Sequence, residues 1–338
     1  MKKVFCILLL LSSLITFAHA GSKKEQKDFS LIYLFQKGYN ENAAYSIYSG
    51  EQLLTDLKTL SKRKILEIRI DRNNEDSVLF AEQIENLYRV IRLNYITNTE
   101  TELFEFEQEI YRFRAFTENT FFWCERCEKS PEPHILYEYD SRTKQIKKLY
   151  ELEDFRKSPK YGWEHRYISG VHADDNFIYF YVEGGFVGDS GYYVLDRSTG
   201  DVRTNEIQLG WSYPGARYKN KIIRESSTVV KSGDVTSWKR DGKSCVIFDL
   251  DTFEEVACTF KQRYEPMAGP LILLSDDYFL VPLCVSPIRD SFRNGLFGYS
   301  WTVCYTVFDI KNNKSIFKGI KTETKTMKLV DAVLKTEK

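Results

Sequence analysis

The sequence lacks an excess of charge of either sign, has few histidines and holds a single long apolar run. Its 48 basic and 48 acidic side chains cancel, which excludes a general electrostatic attraction to nucleic acid or to anionic membranes. Only four histidines occur in 338 residues, and no metal or cofactor is expected. Because 43% of the residues are apolar, the chain can bury a large core and is not expected to be disordered.

The long apolar run lies at the N-terminus. A basic start, Met1-Lys2-Lys3, precedes the run Val4–Phe17, which ends at Ala18-His19-Ala20. This order predicts a secretory signal peptide over residues 1–20, since the run is shorter than the ~20 residues that a membrane span needs. We therefore expect an extracytoplasmic protein, periplasmic or secreted, with no membrane span after signal removal.

Six cysteines follow the predicted signal peptide, and an even count in an oxidising compartment favours disulfides. Neighbourhood in the sequence favours three local pairs, although all 15 connectivities of six cysteines stay open. The Cys-x-x-Cys spacing also occurs in zinc and redox sites, but only His134 lies nearby and no second such motif exists. Structural disulfides are therefore predicted for Cys124 with Cys127, Cys245 with Cys258, and Cys284 with Cys304.

A short turn motif recurs five times along the chain. It consists of an apolar residue, Asp or Asn, two variable residues and then Thr or Asn. Apolar runs flank each copy, which is typical of a strand–turn–strand unit whose Asp or Asn accepts hydrogen bonds from backbone amides two residues on. The Asp and Asn positions, 46 to 60 residues apart, are Asn94, Asp140, Asp196, Asp249 and Asp309.

Each copy belongs to a larger repeat of four predicted strands. Upstream of the motif a polar turn leads into a strongly apolar strand, as in Asp174-Asp175 before Phe177–Val182, and a further β-rich run precedes that turn. A strand that is apolar on both faces fits between two layers. Four antiparallel strands repeated at this spacing indicate the blades of a β-propeller.

Over about residues 65–320 the sequence resembles β-propeller repeat proteins. The stretch with Gly184-Gly185 and Asp196-x-x-Thr199-Gly200 is similar to a kelch or quinoprotein-type blade. The glycine pair and the Thr-Gly pair each occur in one blade only, and no Gly-His…Trp-Asp signature is present. The resemblance implies an all-β propeller of about five to six four-stranded blades and carries over no functional residues.

The segments outside the repeats are less regular. Within residues 21–64, Phe29–Phe35 and Ala44–Tyr48 are predicted strands that either belong to a sixth blade or complete the last one. Ser49-Gly50-Glu51-Gln52 has the spacing of a capping box, and four leucines after it share one helical face, which predicts a short helix over 50–62. The Lys/Thr/Glu-rich residues 321–338 are predicted to form a loose tail.

A propeller of this topology has two unlike faces. The turns that join strands 1–2 and 3–4 of each blade form one, which we call the turn face. The links that join strands 2–3, and strand 4 to the next blade, form the other, the connector face. Long insertions fall almost entirely into the second class: 152–166, 183–191, 210–216, 225–243, 262–269 and 286–300.

Long connections on a rigid scaffold usually carry binding groups, and Trp, Tyr and Arg combine large contact area with a polar handle. These residue types are concentrated in the connector class, although any one of the aromatics can equally serve packing. The predicted ligand-binding residues are Trp163, His165, Arg166, Trp211, Tyr213, Trp238, Arg263, Tyr264, Arg289, Arg293 and Trp301.

Three motifs that would indicate a specific chemistry are poorly supported by the residues around them. Gly188-Asp189-Ser190-Gly191 matches the string around a serine-protease nucleophile, but no motif with an activating His lies upstream. Residues 71–82 match a calcium loop except that Asp76 stands where Gly is required, so an acidic hairpin turn is favoured. His165 and His172 fall in different classes of connection, and spacing alone does not bring them together. No catalytic residue is assigned.

These observations favour a secreted or periplasmic binding protein whose connector face holds a protein or a glycan. An extracytoplasmic hydrolase or lyase on the same face would instead need clustered carboxylates with perturbed pKa values over the central channel. A structural envelope scaffold would need a flat apolar patch away from the connector face.

Overall fold

The computed structural model describes residues 30–38, 43–127, 130–152, 166–174, 176–184, 191–205, 217–232, 235–265, 268–285, 302–323 and 327–335. They form six four-stranded antiparallel sheets, the blades of a β-propeller. Repeat spacing and turn chemistry had predicted this architecture, and the structure confirms it with six blades. The predicted signal peptide lies outside the described residues.

The strands follow one another in simple order. The first three are β1 (Leu31–Lys37), β2 (Ala44–Ser49) and β3 (Gln52–Asp56). Blade 1 contains β4 (Ile65–Ile70), β5 (Ser77–Ile84), β6 (Leu87–Asn94) and β7 (Thr99–Glu107). Blade 2 contains β8 (Arg112–Phe116), β9 (Thr120–Cys127), β10 (Ser130–Asp140) and β11 (Gln145–Glu151).

The next three blades complete the ring. Blade 3 contains β12 (Arg166–Ala173), β13 (Phe177–Gly184), β14 (Gly191–Asp196) and β15 (Val202–Asn205). Blade 4 contains β16 (Arg217–Tyr218), β17 (Lys221–Ser232), β18 (Val235–Asp249) and β19 (Glu255–Thr259). Blade 5 contains β20 (Ile272–Leu273), β21 (Tyr278–Cys284), β22 (Thr302–Asp309) and β23 (Lys314–Glu323), and β24 (Lys328–Leu334) follows.

The sixth, closing blade is assembled from both ends of the chain, in the order β24-β1-β2-β3. Its inner strand β24 pairs antiparallel with β1. Leu329 and Ala332 of β24 are fully buried, so the prediction of a loose tail over 321–338 is wrong. An apolar strand inside a polar, lysine-rich context is stabilised here by its partner strand, which lies almost 300 residues away.

The predicted helix over 50–62 is also wrong. Residues 52–56 form the outer strand β3, paired to β2, and only Lys58–Leu60 make a single 3₁₀ turn. Leu57 and Leu60 are buried, whereas Leu53 and Leu54 are 45% and 38% exposed. The helical spacing of the four leucines therefore does not reflect one buried face.

Aromatic side chains fill the space between blades. In strand β9, Phe121, Phe122 and Trp123 are all buried, as expected for a strand covered on both faces. Phe106 of blade 1 stacks on Tyr139 of blade 2, with ring centroids 4.5 Å apart. Such pairs stabilise the contact beyond simple burial and hold neighbouring blades in register.

The recurring motif forms the predicted turns between strands 3 and 4. The Asp249 Oδ1 atom accepts hydrogen bonds from the backbone amides of Asp251 (2.9 Å) and Thr252 (3.0 Å). Equivalent bonds are made by Asn94, Asp140, Asp196 and Asp309. The structure adds a rule that the sequence did not suggest: the residue directly after every copy, the fifth counted from its Asp or Asn, has positive φ. These residues are Asn98, Lys144, Gly200, Phe253 and Asn313.

None of the five cysteines whose side chains the structure describes is in a disulfide. Cys304 pairs with Leu283, so Cys284 is one residue out of register and on the opposite face of its sheet. Cys124 and Cys127 lie three residues apart on one extended strand, about 10 Å apart, beyond the ~7 Å that a disulfide spans. These two pairings are therefore wrong.

Cys245 and Cys258 are directly opposite each other on β18 and β19. Their thiols are hydrogen-bonded to each other rather than linked. Both side chains are fully buried in the cluster between blades 4 and 5, where they act as small core residues. The sequence correctly placed these two cysteines side by side, but the predicted bond between them is absent from this structure.

Candidate ligand-binding face

The turn face is occupied by contacts of the fold itself. Its short turns are closed by the Asp and Asn bonds described above, and charged side chains then join neighbouring blades. Glu138 of blade 2 is buried and forms an ion pair with Arg197, which follows β14 of blade 3. Burial raises the pKa of Glu138, and the positive charge of Arg197 opposes that rise.

A second network on this face joins blades 3 and 4. The Asn220 Nδ2 atom donates to both carboxylate oxygens of Asp249 at 3.1 Å and to Asp251 at 2.9 Å. The Tyr179 hydroxyl also donates to Asp251. The described part of the turn face thus uses much of its polar chemistry to connect blades.

The acidic sequence 71–82 forms part of the same face and is the hairpin turn that its composition favoured. The Asp71 carboxylate is buried and accepts hydrogen bonds from the Asn73 amide (2.9 Å) and from Arg92 Nε (2.8 Å). Its oxygens are therefore used by the turn. Among the described residues, no group of three or more His, Cys, Asp or Glu side chains could hold a metal ion.

Most of the predicted ligand-binding residues lie outside the described residues: Trp163, His165, Trp211, Tyr213, Arg289, Arg293 and Trp301. Two others are described as backbone only. Arg166 begins β12 opposite Gly184, and Trp238 lies on β18 opposite Val229. Both positions are at the connector end of their strands.

Arg263 and Tyr264 lie side by side on the link between blades 4 and 5 but differ in exposure. Arg263 is exposed. Tyr264 is 6% exposed, and its hydroxyl donates to the Gly269 carbonyl at 3.0 Å. These contacts give Tyr264 a packing role in the link, and a role in ligand contact stays a prediction.

The insertion 225–243 is a long β-hairpin rather than an irregular loop. Strands β17 and β18 continue past the blade, with Ser227 opposite Arg240 and Ser232 opposite Val235. A break in register between Glu225 and Ser227 separates this arm from the blade. The arm extends from the connector end of blade 4, so Trp238 lies on a strand that projects beyond the ring.

A groove between blades 1 and 2 opens beside the connector face. It has a volume of about 740 Å³ and is lined by Gln108, Glu109, Ile110, Tyr111, Trp123, Glu125, Arg126, Tyr137 and Ile146. The first four residues form the link from β7 to β8, and Glu125 and Arg126 lie near the connector end of β9. The Trp123 and Tyr137 rings stack with centroids 5.5 Å apart.

The polar wall of the groove is held in place by short-range contacts. The Glu125 Oε1 atom accepts a hydrogen bond from the Tyr111 amide at 3.1 Å, and the Trp123 side chain also bonds to this carboxylate. The Arg126 guanidinium lies 4.0 Å from the centroid of the Tyr111 ring. Burial raises the pKa of Glu125, these hydrogen bonds oppose the rise, and the charge of Glu109 adds to it.

None of the nine groove residues is among the predicted ligand contacts. The link 108–111 is short, and the other lining residues lie inside strands. The sequence prediction, which assigned ligand contacts to long insertions, therefore missed them. One signal was present in the sequence: Glu125-Arg126 directly follows the apolar run Phe121–Cys124. Two adjacent charges at the connector end of a buried strand mark the place where that strand leaves the core.

His172 lies on β12 in a narrow space bounded by aromatic rings, among them Tyr179 and Tyr181. Glu164 and His165, which could be combined with His172 and Asp174 in an acid/base or metal group, lie outside the described residues, as do Gly188, Asp189 and Ser190. The Asp174 carboxylate accepts hydrogen bonds from the Asn176 and Phe177 amides. In the described parts of the chain, no helix has the length and apolar character needed to cross a membrane.

No family model and no curated protein matches the chain. Among solved structures, TolB from Acinetobacter baumannii is similar with a TM-score of 0.51 and 11% identity, over 90% of this chain and 66% of that chain. The chain thus spans just under two thirds of the length of TolB. A nidogen/laminin complex matches with a TM-score of 0.49 and 9% identity, over 90% of this chain and 97% of that chain. At this identity the similarity shows the propeller fold alone.

Proposed function

We propose that this six-bladed propeller is an extracytoplasmic binding protein that holds a protein or glycan partner on its connector face. One observation carries the proposal. The groove of about 740 Å³ has the link 108–111 and the connector end of β9 in its wall, whereas many described polar groups of the turn face close turns or join blades. Ligand sites are usually concave, with apolar walls and a few fixed polar groups.

The hairpin arm and the exposed Arg263 also favour the connector face as the binding face. The arm extends the surface outward from blade 4, and Arg263 lies on the link from blade 4 to blade 5. Together with the groove between blades 1 and 2, these features are spread around one side of the ring. A partner of macromolecular size could contact all of them at once.

Site-specific photo-crosslinking tests the proposal. A photoreactive residue is placed on the connector face, at Gln108 or Arg263, or on the turn face, at the exposed Lys144 or Lys311. The variants are expressed in the native cell and irradiated. We expect adducts of defined mass from the connector positions only. Adducts from the turn-face positions only, or from no position, would refute the proposal.

The extracytoplasmic location rests on residues 1–20. If they act as a signal peptide, N-terminal sequencing of the exported protein should begin at Gly21. Replacing Leu8 and Leu9 in the apolar run by Asp should retain the protein in the cytoplasm with residues 1–20 uncleaved. Export of that variant with normal cleavage would contradict the assignment.

The hydrolase or lyase alternative receives no comparable support from the inner strands. Burial raises the pKa of Glu67 on β4, but Arg69 lies 3.4 Å away and opposes that rise. The nearby Asp331 carboxylate accepts hydrogen bonds from the Ile70 and Ala332 amides. These carboxylates are engaged in contacts that hold strands together.

A further inference from the structure

We propose that the groove between blades 1 and 2 binds a basic segment of a polypeptide, with a lysine or arginine side chain paired to Glu109 and Glu125. The inference rests on the proposed binding function and names the partner's chemistry. It concerns the nine lining residues, all of which the structure describes.

The groove lining carries a net negative charge, with two carboxylates and one guanidinium. Neither Glu109 nor Glu125 takes part in an ion pair with a described residue. The one cation of the lining, Arg126, is stacked on the Tyr111 ring. The charges of both carboxylates also raise the pKa of the buried Tyr88 next to them, after burial itself. A positive group bound in the groove would be attracted by the potential that these side chains create.

The Glu125 carboxylate is preorganised for such a contact. One oxygen accepts the Tyr111 amide hydrogen bond, and the Trp123 side chain also donates to the carboxylate. A carboxylate has about four lone-pair positions, so acceptor positions remain for an ammonium or guanidinium group. Because the carboxylate is already held, pairing costs little side-chain entropy.

The remaining lining suits the apolar parts of a peptide. Ile146 is 48% exposed and Tyr111 is 39% exposed, and the Tyr137 ring stacks on the Trp123 ring. The methylene stem of lysine or arginine packs well on such surfaces, while its charged end stays in contact with water or with polar groups. The volume is within the usual range of ~300–1,000 Å³ for ligand sites and exceeds what one small cation fills.

Charge distinguishes the two partner classes. The hydroxyls of a neutral glycan can donate hydrogen bonds to the carboxylates but bring no positive charge to balance them, and an acidic glycan would be repelled. A basic peptide satisfies the carboxylates and the apolar lining together. The structure therefore favours a polypeptide for this groove.

The test uses the full mature chain and libraries of short random peptides whose central residue is fixed as lysine, arginine, norleucine or glutamate. Binding is measured by affinity selection and mass spectrometry at about 0.15 M salt, where charges beyond about 8 Å are screened. We expect the lysine and arginine libraries to be enriched about tenfold over norleucine, as for one charged hydrogen bond. Equal enrichment, or enrichment of none, would overturn the inference.

Substitutions in the groove test whether Glu109 and Glu125 cause the preference for a basic central residue. Glu109→Gln with Glu125→Gln should abolish it, and Glu109→Lys, at an exposed position, should shift it toward glutamate. The matched control is Glu105→Gln, which removes one charge from exposed β7 outside the lining and should leave the preference intact. If the double variant kept the preference, the assigned pairing of a basic side chain with Glu109 and Glu125 would be wrong. Full competition by spermidine would show a polyamine site instead of a peptide site.

The photo-crosslinks separate this inference from the proposed function. If the connector positions still give their adducts in the Glu109→Gln, Glu125→Gln background with unchanged yield, the face is correct and the groove assignment is wrong. If the connector positions give no adducts in the wild-type background, the proposed function itself is wrong.

Discussion

The Asp331 carboxylate on the inner strand of the closing blade accepts a hydrogen bond of 3.0 Å from the backbone amide of Ile70 on the inner strand of blade 1. The residues are 261 positions apart in sequence. The same carboxylate binds the Ala332 amide at 2.8 Å and lies 3.4 Å from the Arg72 guanidinium. One buried side chain thus joins the C-terminal strand of the closing blade to blade 1.

Replacing Asp331 should therefore weaken the whole ring. Asp331→Ala leaves two buried amides without an acceptor, and we expect a loss of about 2–3 kcal/mol in the free energy of unfolding. Asp331→Asn keeps an acceptor oxygen and should lose less. Urea denaturation followed by fluorescence measures both, and equal losses for the two variants would contradict the assigned hydrogen bonds.

Lys144 offers a stabilising substitution. It is exposed and has φ +58° at the fifth position of its turn, where a residue with a Cβ atom is strained. Lys144→Gly should raise the free energy of unfolding by about 0.5–1 kcal/mol, since glycine's greater chain entropy offsets part of the gain.

A matched control lies on the strand that follows. Lys147 is also exposed but stands inside β11, paired with Glu138, where glycine weakens a strand. Lys147→Gly should therefore destabilise the protein in the same urea assay. A loss of stability in both variants would show that the positive φ at residue 144 carries no strain.

Acid should remove the charge contribution of Asp140. Hydrogen bonds from Arg142 hold the pKa of Asp140 below its usual value, so the native state binds its proton less readily than the unfolded chain. The stabilisation is complete above the unfolded pKa of about 3.9 and is lost as the pH falls through the lower native value.

Asp140→Asn isolates this contribution, because the amide oxygen can still accept the backbone bond from Arg142. The difference in unfolding free energy between wild type and variant should be constant from about pH 7 to 5 and shrink below about pH 4. If this difference in unfolding free energy grew on acidification, the lowered pKa of Asp140 in the native state would be contradicted.

Cys284 should be slow to alkylate. Burial, with the Glu265 carboxylate 3.9 Å from its sulfur, raises the pKa of this thiol to about 11. The thiolate is the reactive form, so the alkylation rate should rise about tenfold per pH unit between pH 7 and 10. Glu265→Gln should accelerate it at fixed pH.

Mass spectrometric mapping without reductant reads the modification at Cys284 directly. The same map tests the corrected pairing, since no peptide should contain Cys284 linked to Cys304. A linked peptide from freshly folded protein would show that the register between β21 and β22 differs from the one described.

Local turn chemistry made much of the fold predictable. Asp or Asn at a fixed position in each repeat closes a turn through bonds within five residues, so its signal is fully contained in the sequence. The closing blade is different, because its strand β24 was not predicted and pairs with β1 at the other end of the sequence. The leucines at 53–60 had a helical spacing, but pairing with β2 placed the first two on an outer strand instead.

The groove could not be predicted because it is built from four separated segments, around Tyr111, Glu125, Tyr137 and Ile146. Each of these residues fits the local pattern of its own strand or link, so none by itself indicates a binding site. Only the pairing of β9, β10 and β11 within blade 2, together with the hydrogen bond from the Tyr111 amide to Glu125, makes them neighbours. The predicted pairing of Cys284 with Cys304 failed for a related reason: a shift of one residue in register decides which face of a sheet a thiol occupies.

The composite closing blade also constrains the order of assembly. The inner strand of that sheet is synthesised after blades 1 to 5, whereas its three partners are synthesised before them. Blades 1 to 5 can each form from contiguous chain, but the ring stays open until residues 328–334 arrive. A chain stalled before that point would present β1 with a bare hydrogen-bonding edge, a surface suited to a chaperone or to a strand from a second molecule.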